Sequence, residues 1–141
     1  MSLRIGSNLQ HEVKVKVNDS TKRVAGEKTA TIIVRKPEIR FYSIDPLRGP
    51  EYHKAILETF STASGSENQF LAVPYFFSLA PSSLTHEWRI NSTPLTTTGR
   101  PDILTLRSEP GSVGKQTVSL EIRNPGYLFE QARSLFSINV N

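Results

Sequence analysis

The residues of this chain able to do chemistry are three histidines, a scatter of turn carboxylates and a few short motifs. Residues 84–91 read LTHEWRIN. They set His86, Glu87, Trp88, the only tryptophan, and Arg89 side by side. An acid–base pair or a metal centre would need His86 and Glu87 on one side of the backbone. Adjacent residues of a strand point to opposite faces, so the two cannot easily share a ligand. His11, His53 and His86 lie far apart, and neither His-x-His nor His-Glu-x-x-His occurs. The expectation for His86 is therefore a solvated strand residue.

Two further motifs carry letters without the context that gives them meaning. GSVGKQT (111–117) superficially resembles a phosphate loop, but Glu109 stands where the first glycine belongs. Gln116 replaces the hydroxyl residue that would meet magnesium, and the segment that follows alternates as a strand instead of opening a helix. Ser112 and Lys115 match Ser-x-x-Lys by spacing alone, since that dyad works on a helix. The stretch reads as a hairpin turn. Asp19, Asp45 and Asp102 fall in separate turns with no Asp-x-Asp-x-Asp run, which excludes an EF-hand loop. A calcium ion held by Asp19 or Glu38 with carbonyl oxygens is the arrangement the spacing leaves open. Asn18 and Asn91 each open an Asn-x-Ser/Thr sequon, meaningful only in a eukaryotic secretory pathway.

A binding surface is the more realistic chemistry. VPYFFSLAPSS (73–83) sets Tyr75, Phe76 and Phe77 in a row, and Tyr127 and Phe129 flank a later turn. In a strand, alternation turns at least one of the three consecutive rings outward, where it suits sugar stacking or a protein partner. The competing arrangement is a corner that tucks all three rings under the edge of a sheet. The candidate surface is Tyr75, Phe76, Tyr127 and Phe129, with Arg100 as a further member.

The 141 residues contain no cysteine, which excludes a disulfide framework and any thiolate metal site. The net charge is +4, but the basic residues run from Arg4 to Arg133. Their densest group, Lys14, Lys16, Lys22, Arg23, Lys28, Arg35 and Lys36, is interrupted by Glu12, Asp19 and Glu27. Nucleic-acid binding needs a continuous basic face, so this class is not expected. No stretch has the apolar length of a signal peptide or a membrane span. Any targeting signal would lie outside this segment.

The elements that must position these residues alternate with period two. HEVKVKVND sets Val13, Val15 and Val17 against Glu12, Lys14 and Lys16, and TATIIVRKPEIRFY resumes strand character through Ile32 and Val34. Further strands are expected at 68–73, 84–91, 103–107, 116–123 and 135–140. Turn chemistry separates them, in a chain with nine prolines and eight glycines. Short β-branched runs at this spacing predict an antiparallel sandwich. Trp88 and Ile90 on one strand, with Leu120 and Ile122 on another, are the expected core. Residues 51–60 stay ambiguous. Tyr52, Ile56 and Phe60 are at helical spacing behind Pro50, yet a proline-bounded edge strand that switches sheets fits equally.

An internal repeat gives the domain organisation. Residues 12–34 align with 117–140 with one residue of slippage, so Val13, Val15 and Val17 match Val118, Leu120 and Ile122. Asp19 then matches Asn124 at a turn, and Ile32 and Val34 match Ile138 and Val140. The offset, about one hundred residues, is the size of one sandwich domain. The economical division is a tandem array cut mid-module. Residues 1–35 form the closing β-hairpin of a preceding module, residues 36–141 a complete module, and RKPEI the joint.

A hairpin of the form VKVKVNDS…TATIIV resembles the last two strands of bacterial immunoglobulin-like and PKD-like repeats. The segments PEIRFYSIDPLRGPEYHKAI, VPYFFS, LTHEWRIN, DILTLR and VSLEIRNP…SLFSINV are similar to a sandwich module of predicted bacterial surface or membrane-anchored proteins. These modules usually carry glycine where this chain has Ser92. Serine dislikes the positive φ of a tight turn, so the connection is expected to be longer, NSTPLTTTG. The resemblance implies an all-β fold, an immunoglobulin-like Greek-key β-sandwich preceded by a hairpin of a similar module. It also implies an extracytoplasmic, multi-module context, at the cell surface or in the periplasm. The expected function is non-catalytic: a spacer, stalk or adhesive repeat with no cofactor. The alternative is a carbohydrate- or ligand-binding sandwich using the exposed aromatics. Expected partners are neighbouring modules of the same polypeptide and a protein or glycan, with membrane attachment only through segments outside this chain. The hairpin at 1–35 needs a partner for its apolar face, packed in cis or supplied by a strand-exchanged homo-oligomer.

Overall fold

The computed structural model describes residues 10–21, 23–33, 35–97 and 99–141; the matched Val34 and the basic Arg4 and Lys22 lie outside these residues. Two units divide the chain, Met1–Lys36 and Pro37–Asn141. Eleven strands and one short 3-10 turn, Pro81–Ser83, make up the described secondary structure.

The first unit contains β1 (Gln10–Asn18) and β2 (Val24–Ile33), paired antiparallel as a two-stranded sheet. Its turn is built by Asp19, whose carboxylate accepts from the backbone N–H groups of Thr21 and Arg23 and from the Thr21 hydroxyl. The hydroxyl bond above all holds the Asp19 carboxyl below the usual carboxylate range. Lys14 and Lys16 both pair with Glu27 on the polar face. Val15, Val17 and Ile32 on the other face are exposed.

The second unit is a sandwich of two sheets. The four-stranded sheet runs β4 (Gly49–Ile56), β3 (Glu38–Asp45), β6 (Glu67–Tyr75) and β9 (Ile103–Arg107). The five-stranded sheet runs β5 (Thr59–Thr62), β11 (Gln131–Val140), β10 (Gly114–Arg123), β7 (Thr85–Ile90) and β8 (Thr93–Leu95). Alternation decides what each strand buries. Ile39, Phe41, Phe70, Ala72 and Leu104 come inward from one sheet. From the other come Trp88, Val118, Leu120, Ile122, Phe136, Ile138 and Val140. The rings lock the layers together, with Phe41 4.9 Å from Phe136 and 5.8 Å from Trp88, and Phe70 5.0 Å from Phe136. Trp88 is 2% exposed and its indole N–H donates to the Pro101 carbonyl at 2.9 Å, so its one polar atom is satisfied.

Residues 51–60 resolve into the sheet-switching edge strand. β4 ends at Ile56, Leu57 and Glu58 form a joint, and β5 starts in the other sheet, parallel to β11. The amide of Ser137 clasps the joint by donating to the Glu58 carbonyl at 2.8 Å. Pro50 is tolerated because β4 is an edge strand. Pro74 is tolerated for a related reason. The β6–β9 ladder stops at Leu71, so no β9 carbonyl awaits the missing N–H.

Two expectations are corrected. Asn91 and Ser92 form a two-residue turn between β7 and β8, both at positive φ (46° and 71°), in place of the longer connection. A strand pair with right-handed twist favours this primed turn. Asn91, a residue that tolerates left-handed backbone, anchors it by exchanging hydrogen bonds with the backbone of Thr117. Residues 111–117 are not a hairpin turn. Residues 111–113 end the connection from β9 and 114–117 open β10, and the two strands belong to opposite sheets.

Candidate binding surface

The surface is built where the loop after β6 meets the loop between β10 and β11. Asn124, just after β10, is almost fully buried and organises its own loop: its Oδ1 accepts from the Gly126 N–H and its backbone N–H donates to the Glu130 carbonyl. Its side-chain amide donates to Glu130 and to the Ser78 hydroxyl. The Glu130 carboxylate also accepts from the Ser78 N–H and, at 2.8 Å, from the Ser78 hydroxyl. Burial would raise the Glu130 pKa, but the donors from Ser78 and Asn124 outweigh it and hold the carboxyl below its ordinary value. Three polar side chains thus clamp two loops, separated by about fifty residues of sequence, at one end of the sandwich.

Between these anchors the loop tips are apolar and exposed. Phe129 is 99% exposed, Leu128 little less and Tyr127 about two-thirds, and Phe76 and Leu79 are exposed on the facing loop. Phe76 has φ +62°, an uncommon conformation for a bulky residue. The turn it makes sends Phe77 inward against the core while its own ring stays out. The row of three aromatics is therefore divided: one ring tucked under the sheet edge, one exposed and one in between. Tyr75 belongs to the outer face of the four-stranded sheet. Its hydroxyl lies 3.3 Å from that of Tyr42, and the Arg40 guanidinium sits 5.3 Å from its ring centre. The Tyr42 hydrogen bond, helped by burial, pushes the Tyr75 phenol above its usual range. Of the sequence candidates, Phe76, Tyr127 and Phe129 come to one end of the domain and Tyr75 stands beside them at the end of β6. Arg100 is held by Asp102 and lines a shallow cleft of about 350 Å³ with Pro81, Ser82 and Pro101. It takes no part in the loop clamp.

His86 shares the Trp88 face, as alternation along the strand requires, but it is not the solvated residue expected. It faces inward with Trp88 and is half-buried, its Nδ1 3.1 Å from the Leu84 carbonyl oxygen. Its Nε2 is shielded from solvent with no partner in the structure. Burial lowers its pKa, opposed by the Leu84 carbonyl and by the charge of Asp102. The reason is register. His86 sits opposite Ile122, whose side chain is core, so its ring enters the same layer. Glu87 and Arg89 form the expected ion pair on the outer face, extended by Arg123 and Glu121. Among the described residues no group of three or more His, Cys, Asp or Glu side chains is arranged to hold a metal ion. Asp19 is occupied by its own turn and Glu38 by Arg40.

Sequence reasoning named the aromatics and missed the clamp. Ser78, Asn124 and Glu130 carry no motif, and only Asn124 gave a signal, as the turn residue aligned with Asp19. Comparison with known protein families and with curated proteins finds no match to this chain.

Proposed function

We propose that the chain is a non-catalytic structural or interaction module, a unit of an immunoglobulin-like array in an extracytoplasmic bacterial protein, where it acts as spacer, stalk or adhesive repeat. The observation that carries the reading is the register of two hairpins. In β1/β2, Val13 faces Ala30, Val15 faces Lys28 and Val17 faces Gly26. In β10/β11, Val118 faces Phe136, Leu120 faces Ser134 and Ile122 faces Ala132. Adding 105 to β1 and 106 to β2 converts the first set into the second, the offsets of the sequence alignment.

The turns agree as well. Asp19 and Asn124 each accept from the N–H two residues on and donate their own N–H to the residue that closes the loop. Matching residues in matching registers around matching turns favours two copies of one closing hairpin over chance likeness. Repetition of one module along a chain suits distance and display, which supports the spacer reading.

The test is the native product in its source cells. An antibody against residues 37–141 should detect a polypeptide of several modules, accessible on intact cells or released with the periplasm. A 15.8 kDa product confined to the cytosol would falsify the proposal.

A second reading, carbohydrate or ligand capture, is favoured by one observation: the Ser78–Asn124–Glu130 clamp holds Phe76, Tyr127 and Phe129 at one end. Glycan-array binding that disappears when these three rings and Tyr75 become alanine would support it, and binding indifferent to those changes would dismiss it.

A further inference from the structure

The outer edge of β1 is a strand-pairing edge to which no other described strand is hydrogen-bonded. Among the described residues β1 pairs with β2 alone. On β10, the strand in register with it, the same edge is filled antiparallel by β7, with Trp88 opposite Leu120. A nine-residue edge without proline, bordered by exposed Val15, Val17 and Ile32, has none of the devices that blunt such edges except its charges.

Those charges are self-complementary. Glu12, Lys14 and Lys16 share one face of β1. An antiparallel copy of the strand, related by a two-fold axis through Lys14, puts Glu12 opposite Lys16 of the second copy twice over. Lys14 meets its own counterpart at the axis, and there Glu27 of each hairpin neutralises it. On the other face Val13 comes opposite Val15 of the second copy, and the two valine stripes merge.

We propose that a second copy of this chain pairs through β1, forming an isologous four-stranded sheet in the order β2, β1, β1 of the second copy, β2 of the second copy. Two strands alone are marginal in water, whereas four strands that pool Val13, Val15, Val17 and Ile32 of both copies on one face, with Lys28 at its flanks, come closer to the usual requirement for a stable sheet. Opposed Glu–Lys pairs favour the alignment, and a shift that brings Lys14 opposite Lys16 is repelled. The pairing does not rest on the array reading. A monomeric chain would remove it and leave the equivalence of the two hairpins intact.

The test uses sedimentation of the whole chain across a concentration series up to the millimolar range, with Trp88 fluorescence as control for the sandwich. A reversible dimer is expected. Glu12→Lys converts two attractive pairs into repulsive ones and should raise the dissociation constant by about tenfold or more. The chain has no cysteine, so single cysteines report neighbours cleanly. Lys14→Cys should give a disulfide-linked dimer under mild oxidation, because the axis brings its two copies face to face. Thr29→Cys, one strand removed from the seam, should not. A chain that stays monomeric, a dimer unaffected by Glu12→Lys, or equal crosslinking from both positions overturns the proposal.

Discussion

Trp88→Ala is the perturbation that most directly tests how the sandwich is held. The indole is 2% exposed, touches the Phe41 ring and meets Leu120 across the β7–β10 ladder. A buried tryptophan removes about 150–250 Å² from water. At about 25 cal/mol per Å² that is roughly 4–6 kcal/mol, of which the alanine side chain retains a small part. Truncation series give about 3–5 kcal/mol for such a change once partial collapse of the cavity is included.

The lost hydrogen bond adds little. Its acceptor is the carbonyl of Pro101, an exposed residue that water can reach, so the loss is about 1 kcal/mol and not the cost of a stranded buried group. The cavity therefore dominates, and Trp88→Phe, which keeps a ring against Phe41, should cost less than half as much. Against a typical domain stability of about 5–15 kcal/mol, a loss near 4 kcal/mol is severe. For a unit of this size it corresponds to a midpoint roughly 15–25 °C lower.

Far-UV circular dichroism in a urea series is the assay, because the variant has no tryptophan left to report. The m-value should stay near wild type while the midpoint falls. A shift worth under about 1 kcal/mol would show that the β7–β10 layer is not the centre of the core. It would also undo the assignment of this strand as the inward-facing middle of the sheet.

Three smaller predictions follow from the same geometry. His86 has a folded-state pKa below its ordinary value near 6.5, so the unfolded chain binds the proton more readily. Stability is then complete above that value and falls as pH drops from about 6.5 toward the folded pKa, a slope that His86→Leu should flatten in thermal melts. Asn124→Ala removes two donors from the loop clamp and should cost about 1–3 kcal/mol, with faster amide exchange at Ser78 and Gly126; unchanged exchange at both would show that the clamp is not needed. Ser92→Gly relieves a left-handed backbone at φ +71° and should stabilise by up to about 1 kcal/mol in the same melts, whereas destabilisation would mean the Ser92 side chain has a role the structure does not show.

What could be read in the sequence is what period two encodes. Ile103–Arg107 is legible because the short apolar run ILTL lies between turn residues on both sides. Trp88, Leu120 and Ile122 were placed in the core because inward positions on a half-buried strand repeat every second residue, and all three are buried. Ile90 packs against them while staying partly exposed near the strand end. The same rule fails where a strand breaks phase. Tyr52, Ile56 and Phe60 imitate a helical stripe because Leu57 and Glu58 separate two strands that belong to different sheets. Tyr52 lies against Tyr42 on an outer face, while Ile56 and Phe60 reach the core from opposite layers. Spacing along the chain carries no record of that change of sheet.

The loop clamp was illegible for a different reason. Ser78 lies 52 residues from Glu130 and 46 from Asn124, and each of the three is an ordinary polar residue in its own segment. Their chemistry exists only after β6 and β10 have been placed in facing sheets, so it follows from the fold and cannot announce it. The hairpin register is the opposite case. A residue pattern short enough to read in one strand predicted pairing across two, because a slip of a single residue would have turned Val13, Val15 and Val17 onto the face now held by Lys14, Lys16 and Glu27. Register is cheap to encode when one face is apolar and the other charged. The same contrast restricts how the edge of β1 can align with its own copy: sliding the second strand by one residue would set each valine stripe against a charged row.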